Sequence, residues 1–274
     1  GFELQGRFEK VPGKSVTTHQ GAVITTGIAG EPTVEVDYTK TCELSYLIDD
    51  QPVDLEAGAA VGNDKVDFVS SGKSRIFTFD SGFSLKVTLR SWRGDCLLNV
   101  YLCIPEAVGN NEKIVGIFGS PDGDKLNDFT DRSGKDLGTA TKTTKRESHE
   151  HCVSTWCIPQ ASQNLFFEPV ANDACTVPFD EAFERSVVNA DKAIKDACGG
   201  VEACIMDTVA ADGDIDEGLR TLEDEEEDPE PLLPTDPIVP PVDPVAPNPF
   251  NAPPKEKTAT KTCQAPVAAN VKCP

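Results

Sequence analysis

The chain has 274 residues, 46 acidic and 25 basic, for a net charge of −21, with 38% of residues apolar and 7% aromatic. Charge of that sign is repelled by nucleic-acid phosphates and by anionic lipid surfaces, so neither is expected as a partner. No apolar run is long enough to span a bilayer, which argues against membrane insertion, and the ten cysteines point to disulfides and an extracellular, secreted or cell-surface home.

Residues 1–142 read as one β domain. From Phe83 to Arg90, Phe83, Leu85, Val87 and Leu89 alternate with Ser84, Lys86, Thr88 and Arg90. That period of two predicts a strand with one dry and one wet face. Leu98, Val100, Leu102 and Ile104 repeat the pattern, and the runs SRIFTFD and TVEVDYT resemble it. Turn signals separate the runs at Asp80-Ser81-Gly82, Arg93-Gly94-Asp95, Gly62-Asn63-Asp64 and Ser71-Gly72. Many short strands without helical periodicity between them predict a mainly β fold, an antiparallel β-sandwich or barrel.

Residues 143–228 change period. Phe179, Phe183, Val187, Ala190, Ile194 and Ala197 fall at helical spacing, with Pro178 near the start and Gly199-Gly200 at the end. A shorter helix comes next, through Val201, Cys204, Ile205 and Val209, stopped by ADGD. This predicts a small helical, cysteine-containing subdomain.

Residues 229–262 are Pro-rich. Pro231, Pro234, Pro237 and Pro240 lie three apart, and Pro241, Pro244 and Pro247 continue after a shift of one. Three residues make one turn of polyproline II, so each set stacks on one face of a rod reaching roughly 80 Å. Such a rod serves either as a solvated spacer or as an element that docks on a neighbour through Leu232, Leu233, Ile238, Val239, Val242, Val245 and Phe250. Residues 263–274 form a tail with Cys263 and Cys273, read as the start of another module or as a local loop closed by that pair.

The stretch with most chemistry is VGIFGSPDGDKLNDFTDRSGKDL, 115–137. Ser120, Asp122, Asp124, Asn127, Asp128 and Asp131 concentrate hard oxygen donors beside Gly119 and Gly123, as a Ca²⁺ loop requires; the competing reading is a solvated acidic turn. The spacing is not that of an EF-hand. DGDIDEG, with Asp212, Asp214, Asp216 and Glu223, approaches one but carries Glu217 where glycine is required and Gly218 one place late, so a helix-capping turn competes. His149, His151, Cys152 and Cys157 could ligate zinc, at a spacing matching no standard motif. If 97–103 is one strand, Cys96 and Cys103 stand about 23 Å apart. A disulfide needs Cα atoms within about 7 Å, so each must reach elsewhere, with Cys42, Cys152, Cys157 and Cys175 as candidates. Cys198 and Cys204 bracket the Gly-Gly turn and are read as a pair. No Gly-x-Ser-x-Gly, P-loop or His-Glu-x-x-His occurs, and no catalytic residue is assigned: the chain is not read as an enzyme.

GIFGSPDGDKLNDFTDRSG resembles the hallmark of von Willebrand factor type D domains, through Gly116, Gly119, Asp122, Gly123, Asp124, Asn127, Asp128 and Phe129, with Ser120 where that family usually has Asn. GFELQGRFEKV is similar to the family's opening strand, with Phe2, Leu4 and Gly6 in place. The family's Gly-Asp-Pro-His motif precedes that strand, so the chain is read as starting just past it. CVSTWCIPQASQNLF and DACGGVEACIMDTVAADGD are similar to the segment after the D domain in microbial and algal relatives, where the Cys198–Cys204 pairing is also suggested. The resemblance implies an extracellular β module with Ca²⁺ held by Asp122, Asp124, Asn127 and Asp128. The departures count as well: Val115, Phe118 and Phe8 stand where animal members place cysteines, against polymerisation by thiol exchange. Together these readings give a structural subunit of a fibre, cell-surface hair or adhesive layer. Its partners are other copies of itself, head to tail, or other extracellular matrix and surface proteins. The alternative is a calcium-dependent adhesion module of a large secreted or surface receptor, with the Pro-rich segment as spacer.

Overall fold

The computed structural model describes residues 2–14, 16–56, 61, 65–92, 95–105, 114–116, 130–133, 144–158, 164–167 and 175–226. The protein is mainly β, with two antiparallel sheets followed by short helices. Strands β1 (Glu3–Lys10), β2 (Thr17–Thr25), β3 (Val34–Tyr38), β4 (Leu44–Ile48) and β5 (Gln51–Pro52) form the first sheet in chain order. Strands β6 (Val66–Ser71), β7 (Ser74–Phe79), β8 (Ser84–Trp92) and β9 (Asp95–Cys103) form the second, again in chain order. Both sheets are therefore meanders, in which each strand pairs with the next in the chain. The β7–β8 connection is a tight turn. At Gly82 that turn needs a φ of +91°, and its N–H donates to the Phe79 carbonyl at 2.8 Å.

Alternation decides which face is dry. Opposite Leu102, Val100 and Leu98 of β9 stand Leu85, Val87 and Leu89 of β8. Leu85, Val87, Leu98 and Val100 join Ala22, Ile24, Val34, Val36, Tyr46 and Ile48 of the first sheet in one buried cluster. Aromatic contacts cross between the sheets: Tyr46 lies 6.0 Å from both Phe68 and Phe77, and Phe2 lies 4.8 Å from Phe83. The Cys42–Cys96 disulfide, Cα atoms 5.7 Å apart, ties the β3–β4 turn to the start of β9 and so joins the sheets covalently. Cys103 is disulfide-bonded as well.

Among the described residues five helices come after the sheets: α1 (Lys145–His151), running into a π-turn at Cys152–Trp156, then α2 (Glu181–Val188), α3 (Lys192–Ala197), α4 (Glu202–Ala210) and α5 (Ile215–Glu226). The single helix expected from Phe179 to Ala197 is two. Asn189 closes α2, its N–H donating to the Arg185 carbonyl at 3.0 Å, and Asp191 opens α3 from an extended conformation. The break falls where the backbone leaves helical geometry, at Asn189 (φ −94°, ψ 15°) and Asp191 (φ −57°, ψ 150°), and the continuous apolar spacing does not prevent it. Helix α1 falls in a stretch read only as polar. A capping box, Thr144 with Glu147, begins it. The Cys198–Cys204 disulfide closes the α3–α4 turn at a Cα separation of 5.6 Å and sits in a small core with Val187 and Ile205. Val11 and Trp92 pack on Ala210 and Ala211, which seats α4 against the β half.

Among the described residues no helix is long and apolar enough to cross a membrane.

Candidate functional site

The expected calcium ligands Asp122, Asp124, Asn127 and Asp128 lie outside the described residues, as do Cys263, Cys273 and the apolar positions Leu233, Ile238, Val239, Val242 and Val245. Both flanks of the loop are described. Ile114 packs against the main core. On the other side Thr130 is buried, and its carbonyl accepts from His151 Nε2 at 3.2 Å. That bond leaves His151 Nδ1 to accept from the Thr155 hydroxyl, also at 3.2 Å. Arg132 donates from Nε to the Thr155 carbonyl at 2.6 Å and from Nη2 to the Trp156 carbonyl at 3.0 Å, with its guanidinium 5.8 Å from the Trp156 ring. The far flank is thus pinned to the π-turn, which leads into the Cys157–Cys175 disulfide.

The zinc set does not assemble. His149 Nε2 donates to the Val177 carbonyl at 3.0 Å, His151 holds Thr130, and Cys157 is oxidised with Cys175. In the EF-hand-like run, Asp212 pairs with Lys14, and Asp214 accepts from the Asp216 N–H at 3.1 Å. Gly218 serves packing between helices: a Cβ there would lie 2.6 Å from the Cys204 carbonyl. Among the described residues no three His, Cys, Asp or Glu side chains converge as a metal site.

A polar site that alternation alone does not reveal lies on the outer face of the first sheet. Gln5 and Arg7 of β1 stand beside Glu35 and Asp37 of β3, separated by Val23 and Gly21 of β2. Gly21 is required here, since a Cβ would run into the Asp37 carboxylate. Arg7 is 7% and Glu35 2% exposed, because residues 164–167 lie across them as a strap. The Leu165 N–H donates to Gln5 Oε1 at 2.9 Å and the Phe167 N–H to Glu35 Oε2 at 2.8 Å. The Phe166 ring stacks 4.1 Å from the Arg7 guanidinium. Arg7 donates to Asp37 Oδ2 at 3.1 Å and reaches Glu35 Oε1 at 3.7 Å. One guanidinium therefore faces two carboxylates. Burial first, then a hydrogen bond to Asp37 and its negative charge, push Glu35 up to about 7, against the opposing pull of the Phe167 N–H and Arg7. The hint in the sequence is two acids on successive outward positions of a short strand and an unassigned aromatic run, Leu165-Phe166-Phe167.

On the opposite face, His19 stacks on Phe8 with ring centroids 4.5 Å apart, while Nε2, shielded from solvent, has no hydrogen-bond partner. Burial pushes His19 down to about 4, a bond with the Gly21 backbone opposing it. Both rings line a cavity of about 310 Å³ where the sheets meet α4 and α5, with Trp92, Met206 and Thr221 on its wall and the Lys145–Glu202 ion pair beside it.

No protein-family model matches the chain, and no curated protein matches it.

Proposed function

We propose that the chain is an extracellular structural module: a β-sandwich resembling von Willebrand factor type D domains, with a calcium loop at Asp122, Asp124, Asn127 and Asp128 and a Pro-rich segment that joins it to the next copy. The observation that carries the reading is the disulfides, Cys42–Cys96, Cys157–Cys175 and Cys198–Cys204 among the described residues, with Cys103 bonded as well. Such a set belongs to oxidising compartments and to proteins that must outlast them. Two antiparallel sheets sharing one core are in keeping with a sandwich. The anchoring of Thr130 and Arg132 supports the calcium reading, because a loop with one end already fixed loses less freedom on closing around an ion.

Two measurements test the proposal. Millimolar Ca²⁺ should raise thermal stability by about 1–2 kcal/mol for a site of extracellular affinity, and Asp124→Ala should abolish the increase. A melting curve unchanged by chelator removes the calcium site. Replacing Leu233, Ile238 and Val242 together by Ser should leave the β half folded and stop filament formation, scored by electron microscopy. Normal assembly of that variant assigns the segment to a spacer instead.

A further inference from the structure

We propose that residues 164–167 form a proton-locked clasp over the first sheet, held while Glu35 and Asp37 share one proton above Arg7 and loosened when that proton leaves. The clasp is independent of the calcium loop and of the assembly segment. Its basis is the count of charges in a buried layer. With one proton on the pair, a carboxyl, a carboxylate and a guanidinium sum to zero beneath the strap. Without it, these three groups sum to one negative charge in surroundings that solvate it poorly. Lifting the strap admits water to both carboxylates and removes that cost. The bond from Phe167 to Glu35, the bond from Leu165 to Gln5 and the Phe166–Arg7 stack are the contacts given up.

Among the described residues, the charged groups facing Glu35 are Arg7 on β1 and Asp37 on β3 itself. Its neighbours across the sheet are Val23 on β2 and Leu47 on β4, and the strap offers a backbone N–H; none of these titrates. Glu3 is one step removed, bonded to Gln5. These surroundings set the sign of the pH dependence. Closed, Glu35 is pushed up to about 7; open and hydrated, it returns to the ordinary carboxylate range near 4.5. A group that binds its proton more tightly when closed favours closure fully below the lower value, and that advantage is lost as pH rises through the upper one. The clasp is tightest in acid, loosens towards neutrality and changes no further above it. Opening bares the outer face of the first sheet together with Phe166 and Phe167.

Amide hydrogen exchange of the full chain tests this. Protection of the Leu165 and Phe167 amides, corrected for the intrinsic pH dependence of exchange, should fall at least about tenfold between pH 5 and 7 and level off above. Amides in β8 serve as the internal reference and should hold their protection. Glu35→Gln keeps a carbonyl for the Phe167 N–H without a titrating proton and should show no fall. Asp37→Asn, which removes the neighbouring negative charge, should move the fall to lower pH. Constant protection of the strap in the wild-type chain overturns the clasp, as does an equal fall in Glu35→Gln. Should Glu35→Gln fail to fold, carbon NMR of the wild-type carboxyl groups decides: a Glu35 carboxyl titrating in the ordinary range overturns the proposal, and one titrating near neutrality upholds it.

Discussion

The β half and the helical half hold themselves together by different means. The β half gathers seventeen buried side chains into one apolar cluster, from Ala22 to Ile104. Among the described residues of the helical half the comparable cluster has four, and two of them are the bonded Cys198 and Cys204. A small unit exposes too much of its surface for burial alone to offset chain entropy, and a cross-link removes part of that entropy from the unfolded state. The cysteines are therefore not decoration spread over one fold: near α3 and α4 the bridge is itself part of the core.

Three changes would break or sharpen that contrast. The largest effect is expected from Phe77→Ala, which empties the centre of the aromatic group formed with Tyr46 and Phe68. It should cost about 3–5 kcal/mol in urea unfolding followed by a β-sheet signal. Removing the short bridge with Cys198→Ala and Cys204→Ala should cost about 2 kcal/mol and appear in the helical signal, leaving the β transition in place. If both variants shift one common transition by equal amounts, the two halves unfold as a unit and the contrast is false.

The smallest effect concerns pH, through His19 and Glu35 of the β half. The folded value of His19 lies below its ordinary 6.5, so its contribution is present above that pH and is lost as pH falls through about 4. His19→Gln should flatten this acid limb by about 2 kcal/mol, taking about 1.4 kcal/mol per pH unit between 6.5 and 4 and halving it because the residue is partly exposed. Glu35 acts with the opposite sign over an overlapping range. The two single variants should therefore tilt the stability profile in opposite directions, as read from unfolding midpoints between pH 4 and 7.

The sequence made the β half legible where one face is dry and the other wet. The alternation in 83–90 falls on β8, and TVEVDYT contains β3. Alternation reports which residues share a face, not what covers that face. Glu35 and Asp37 read as solvated, since their cover arrives from more than a hundred residues away in a strap without periodicity of its own. The helical half was legible in content and not in boundaries. Its helices are short, the backbone leaves helical geometry at single positions such as Asn189 and Asp191, and apolar spacing runs straight across such breaks. Helix α1 did carry a signal, the Thr144-to-Glu147 box, but its helix offers little apolar periodicity to accompany it.

Three bridges among the described residues, Cys42–Cys96, Cys157–Cys175 and Cys198–Cys204, also limit how far the molecule can be drawn out. Cysteines 42 and 96 are 54 residues apart, 157 and 175 are 18 apart, and 198 and 204 are 6 apart. At about 3.5 Å per extended residue, those loops remove roughly 190, 60 and 20 Å from the contour length released when the chain is pulled by its ends. Under tension β1 and then β2, both ahead of the first bridge, can peel away, whereas everything between Cys42 and Cys96 stays shunted out of the line of force. The chain is stiff by connectivity: the oxidised form stops short under load, and the reduced form releases all of that hidden length.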